Sequence, residues 1–140
     1  MLKSLPQTDE TLLIRTDFSD EAAWQALRTA VETPSEDDFL AYVHVVDDPD
    51  HGDLTAEQLL ALAPDKRLLI VADRTALTAP GMPLLTVLRY WDEDEGEGDH
   101  GELRVIAEEL WSIENNISLA NMDWSEFVDA AEEDGVFRGF

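Results

Sequence analysis

Four aspartates, Asp17, Asp47, Asp48 and Asp73, follow short apolar runs, and that placement could support chemistry. The runs are Leu12-Leu13-Ile14-Arg15-Thr16, Tyr42-Val43-His44-Val45-Val46 and Leu68-Leu69-Ile70-Val71-Ala72. If these are parallel strands, their carboxyl ends lie along one edge of a sheet, where ligands of open α/β sheets collect. Carboxylates gathered there would suit Mg²⁺, a hard cation held by one or two of them together with waters and a phosphate. Receiver domains and several phosphotransferases use that layout. The same residues also suit a purely structural use, because Asp starts turns and caps helices. A phosphate site would call for a nearby Lys or a Gly-rich loop, and Arg74 is the sole cation beside them.

The remaining reactive side chains point to less. His44, His51 and His100 show no metal-ligand spacing of the H-E-x-x-H kind. His44 shares a strand face with Tyr42 and Val46 and reads as a core histidine. No G-x-S-x-G elbow accompanies Ser112, Ser118 or Ser125. The absence of cysteine excludes disulfides, thiolate metal sites and Cys nucleophiles. Asn115, Asn116 and Asn121 stand near Trp111 and Trp124. They suit either the satisfaction of backbone groups, the favoured use, or a polar pocket with aromatic walls.

The elements that must position these residues follow from periodicity. A strand with one wet face alternates, whereas one covered on both faces is apolar throughout, as Leu68–Ala72 is. Ser19 is read as the N-cap of a helix running to about Glu32, with Ala23, Trp24, Leu27, Ala30 and Val31 on one face. Thr55 and Gln58 form a capping box before a second helix, which Pro64 closes. The first half therefore reads βαβαβ, a crossover pattern that makes a parallel sheet. Leu84–Trp91 and Leu103–Ile106 read as a hairpin, with a mobile acidic loop at 92–101 between them. Leu110, Trp111 and Ile113 are directed inward from a turn or short helix. Ile117–Ala120 reads as a last strand. Asp123 and Glu126 box the start of a C-terminal helix that carries Trp124, Phe127, Val128 and Ala131 inward, and the aromatic tail after Gly135 tucks back onto the body. The expected fold is α/β: one domain over residues 1–140, its mixed sheet having a parallel βαβαβ core, a hairpin and a C-terminal helix.

The charge narrows the partners. With 32 acidic and 9 basic residues the net charge is −23, yet 44% of the residues are hydrophobic, so the chain is expected to fold. A length of 140 residues allows burial of roughly two-thirds of the unfolded surface. Nine cations do not make the basic face that phosphate binding needs, so direct nucleic-acid binding is disfavoured, as is an anionic membrane. The N-terminus has no signal-peptide h-region, and no apolar run approaches the roughly 20 residues of a membrane span. A cytoplasmic protein is expected.

Thr11–Asp20, Leu54–Leu62, Leu110–Phe127 (LWSIENNISLANMDWSEF) and Asp134–Phe140 (DGVFRGF) together resemble a family of small, uncharacterised actinobacterial proteins. The resemblance covers most of the chain, is most specific at Trp111–Phe127, and implies a bacterial cytoplasmic source. It carries no known activity.

The favoured function is non-enzymatic: an acidic cytoplasmic protein that binds another protein, possibly a basic one, with no cofactor. The alternatives are a Mg²⁺-dependent, phosphate-handling or receiver-like domain using Asp17, Asp47, Asp48 and Asp73, and a DNA mimic or immunity-type inhibitor whose acidic segments at 36–53, 92–102 and 123–134 line one face. A thermal melt separates the first two. Low-millimolar MgCl₂ is expected to raise Tm no further than NaCl of matched ionic strength. A Mg²⁺-specific increment that is lost in Asp17→Asn/Asp73→Asn would establish the metal site.

Overall fold

Runs with no polar break become the middle of the sheet. In the computed structural model, which describes residues 3–91 and 98–140, β1 (Thr11–Arg15), β2 (Val43–Val46) and β3 (Leu68–Ala72) are parallel, with β1 between the other two. Every residue of β3 is buried. Successive side chains of a strand point to opposite faces. Leu13 and Ile70 therefore join one core, with Trp24, Leu27, Ile113 and Phe127, while Leu12, Ile14, Leu69 and Val71 join a second, with Leu5, Leu59 and Leu60. The first core lies under α1 (Glu21–Glu32). The second lies under α2 (Ala56–Leu62) and the N-terminal segment, where Leu5 is buried.

After β3 a five-residue helix, α3 (Arg74–Thr78), turns the chain into β4 (Pro83–Arg89). β4 and β5 (His100–Ile106) form the expected hairpin, antiparallel in register from Pro83↔Ile106 to Arg89↔His100. Part of the acidic stretch placed between them, residues 92–97, lies outside the described residues. The chain continues through α4 (Leu110–Ser118) and α5 (Trp124–Ala130) to β6 (Val136–Phe137), which pairs parallel to β5. The sheet order is β2-β1-β3-β4-β5-β6, so this is a single α/β domain with a mixed six-stranded sheet. The tail that the sequence predicts to tuck back supplies the last strand, and Phe137 is fully buried against Phe127, with ring centroids 5.3 Å apart.

Helix ends follow the capping chemistry with one shift. Both expected capping boxes form, Thr55 with Gln58 and Asp123 with Glu126. The first helix is capped by Asp20, not Ser19: the Asp20 carboxylate accepts the Ala23 N–H at 3.0 Å. The Ser19 hydroxyl is turned to Asp17 instead. The C-terminus of α2 is closed from across the sheet. Arg89 Nη2 donates to the carbonyls of Leu60 and Ala63 at 2.7 and 2.9 Å, which also accept the Ala63 and Lys66 N–H groups, and brings a cation to the negative end of the helix dipole.

The expectation of a strand at Ile117–Ala120 is overturned, since these residues end α4. The Asn121 N–H donates to Asn116 O and the Ala120 N–H to Ile117 O, the paired bonds of a Schellman motif. That motif places its terminal residue in the left-handed region, usually filled by glycine. Here Ala120 occupies it at φ 57°. With no glycine to mark the stop, the apolar ending reads as a strand. Because the left-handed conformation costs an L-residue about 1 kcal/mol, Ala120→Gly should stabilise the fold by up to that amount. An unchanged or lowered midpoint in denaturant titration would contradict this account.

Candidate functional site

β1 is covered on both faces, and polar groups collect at its two ends. At the carboxyl end stands Arg15, whose side chain is 3% exposed. Its Nη1 donates to Asp47 Oδ1 at 3.2 Å, its Nη2 to Glu21 Oε2 at 2.9 Å and its Nε to the Asp17 carbonyl at 3.0 Å. The guanidinium lies 4.3 Å from the Phe18 ring centroid and 5.0 Å from that of Trp24. Trp24 Nε1–H in turn donates to Asp47 Oδ2 at 3.2 Å. A buried cation needs acceptors and a polarisable surround, and this cluster supplies both.

The four candidate aspartates are divided among separate partners. Asp17 accepts from the Ser19 N–H and hydroxyl; those bonds, the hydroxyl's first, hold its carboxyl below the ordinary value, with Arg74 and Arg15 adding to the effect. Asp47 belongs to Arg15 and Trp24. Asp48 pairs with Lys3, which lowers the Asp48 pKa, and accepts the Asp50 N–H at 3.0 Å. Asp73 caps α3 through the Ala76 N–H and takes a two-pronged bond from Arg104, at 2.7 Å on each oxygen. Asp17 and Asp47 both reach the Arg15 guanidinium, but Asp17 does so through its main-chain carbonyl and Asp47 through its carboxylate. Among the described residues no three His, Asp or Glu side chains stand together as a metal ion would require.

At the opposite end of β1 a carboxylate is buried. Glu114, 3% exposed, accepts the Tyr42 N–H at 2.7 Å, the Thr11 hydroxyl at 3.0 Å and the Ser118 hydroxyl at 2.6 Å. It ties α4 to the entries of β1 and β2. Asn115 Nδ2 adds a bond to the Leu40 carbonyl at 3.0 Å, and Asn116 Nδ2 donates to Ser112 O at 2.8 Å. These asparagines satisfy backbone groups, as expected. Sequence reasoning missed both Arg15 and Glu114 as buried charges. A signal existed for each. Arg15 follows three core residues of a strand covered on both sides. Glu114 sits four residues after Leu110 and three before Ile117, on the apolar stripe of its helix.

The histidines exchange roles. His51, which the sequence places in the acidic loop Asp47–Asp53, is 1% exposed, its Nε2 3.1 Å from the Lys3 carbonyl. The N-terminal segment crosses that loop and covers it. His44 is half-buried, and its expected neighbour on the strand face, Tyr42, is exposed. β2, which begins just after Tyr42, is an edge of the sheet. His100 Nε2 lies 2.9 Å from Glu102 Oε2.

The surface described carries recesses with aromatic walls. One, of about 550 Å³, is bounded by Trp91, Trp124, Met122 and Ile117 and contains Arg67 and Asp123. Another, of about 680 Å³, lies between the C-terminal end of α1 and the turn at Ala107–Glu109; Trp111, Glu36, Asp37, Glu108 and Glu109 line it. Trp111, expected to point inward, is half-buried and stacks on the exposed Phe39 at a centroid distance of 5.0 Å.

A family model, that of a domain of unknown function, DUF6924, matches residues 10–140. The chain belongs to this family. No curated protein matches the sequence. In this DUF6924 domain the two buried charges brace β1 at either end, and the bracing is measurable. Arg15→Lys keeps the charge but loses the fork that reaches Asp47 and Glu21 together. It should cost about 1–3 kcal/mol in denaturant titration. A loss below the low end of that range would show that the guanidinium geometry is not what holds the strand ends.

Proposed function

We propose that this protein is a non-enzymatic acidic module that binds a cationic partner protein in a bacterial cytoplasm. The observation that carries the reading is how the positive charge is used. Of nine Lys and Arg, Lys3, Arg15, Arg28, Arg104 and Arg138 pair with the chain's own carboxylates. Lys66 and Arg89 are turned to backbone carbonyls. Arg67 stacks over the Trp91 ring at 4.1 Å, and Arg74 lies close enough to lower the Asp17 pKa. The positive charge is spent within the fold, so the field presented to a partner is negative. Such a field steers oppositely charged proteins and repels phosphate backbones. No described helix is long and apolar enough to cross a membrane.

The strand-end carboxylates support the non-enzymatic part of the reading, because each is already engaged by a cation or by a backbone or side-chain donor of this chain. The test is affinity capture with the full chain from a lysate of its source organism. A saturable partner rich in Lys and Arg, released by raising the salt, is expected. Retention of a set not enriched in basic proteins, or one that salt does not release, would overturn the reading.

A further inference from the structure

The recess beside α1 differs from the others in having carboxylates and no cation in its lining. The Trp91–Trp124 groove contains one charge of each sign, Arg67 and Asp123. An adjoining recess contains Lys66 and Arg67 together with Asp9, Glu10 and Asp65. Charge selects no occupant for either. The recess walled by Trp111 has Glu36, Asp37, Glu108 and Glu109 among its lining residues and no Lys or Arg. It lies at the C-terminal end of the twelve-residue helix α1, whose last turn carries no basic residue to offset the negative end of the helix dipole. Its aromatic wall is held in place from outside, because Phe39 stacks on Trp111 with the ring planes 10° apart.

We propose that this groove is the docking site for the partner's cationic segment, with an Arg or Lys side chain lying against Trp111 between the Glu36–Asp37 and Glu108–Glu109 pairs. The assignment rests on the protein-binding reading above and gives it a place on the surface. Three features of the groove converge on that occupant. An aromatic face attracts a guanidinium or ammonium, and this chain already uses the same contact at Arg67 on Trp91 and at Arg15 on Phe18. A carboxylate accepts the two-pronged bond of arginine on its two oxygens, as Asp73 does here from Arg104. Burial, and then the neighbouring charge of Glu108, push the Glu109 carboxyl, which lies beside Gly139 of the tail, above its ordinary value, and a cation docked beside the Glu108–Glu109 pair would offset the cost of their repulsion. An anionic or purely apolar segment would leave that cost in place or increase it.

The experiment is calorimetric titration of the full chain with a Lys/Arg-rich peptide at about 0.15 M ionic strength, using two double variants of equal net charge. Glu108→Gln with Glu109→Gln removes two of the four carboxylates of the groove and leaves Glu36 and Asp37. Glu57→Gln with Asp65→Asn removes the same charge at exposed positions on and just after α2. One saturable site is expected in the wild type, about tenfold weaker in the groove variant and nearly unchanged in the α2 variant. The Trp111 indole resonance should move during the wild-type titration. Equal weakening in both variants, or a stationary Trp111 signal, would overturn the groove assignment and leave the protein-binding reading standing. No saturable binding by the wild type would overturn both. Because neither double variant deletes a packed side chain, a matching Tm confirms that the comparison is between folded proteins.

Discussion

A guanidinium placed at the end of a strand that is covered on both faces has no route to water. Arg15 is such a residue, and several features of the surrounding fold answer its charge. Asp47 after β2 and Glu21 at the start of α1 turn inward to accept its N–H groups. Phe18 and Trp24 cover its plane. Glu114 plays the converse part at the other end of β1, where a buried carboxylate is met by a backbone N–H, two hydroxyls and the Asn115 amide. Removing one member of such a cluster leaves another without its partner, which is why these contacts constrain the register of β1 against α1, α4 and β2 more tightly than apolar packing alone.

The same arithmetic of charge shapes the surface. A chain with net charge −23 can fold only if packing outweighs self-repulsion. Two cores, one on each face of the sheet, supply the packing. The few cations are placed where each does local structural work. Arg89 closes α2, Arg104 holds the Asp73 turn, and Arg138 pins the tail through Glu132 and Asp134. With the basic residues so used, the unbalanced carboxylates remain for solvent and partners, and the field outside the protein follows from decisions made inside it.

Much of the architecture was legible before any coordinates. The three parallel strands, two of them buried, and the two capping boxes rest on local signals: short apolar runs, and Thr or Asp set three residues before Gln or Glu. The failures have both local and long-range causes. Ala120 in a glycine's place hid the end of α4. The two-residue β6 is too short to show a period, and it is a strand only because β5 offers an open edge. His51 is buried by a segment almost fifty residues away in sequence, a contact that no window of residues contains.

The sequence by itself determined the fold class, the two-faced burial of the central strands and the sign of the surface charge, because these depend on composition and on spacings of two to four residues. Only the tertiary structure decided how the charges pair. Four aspartates at strand ends look alike in a linear reading, yet the fold gives Asp17 to Ser19, Asp47 to Arg15, Asp48 to Lys3 and Asp73 to Arg104. Electrostatic interactions depend on distance in space, and the partners of three of the four come from elements more than thirty residues away. The aromatic groove beside α1 has the same origin: Trp111 and Glu109 meet Glu36 and Asp37 only because α4 and its preceding turn pack beside the end of the first helix.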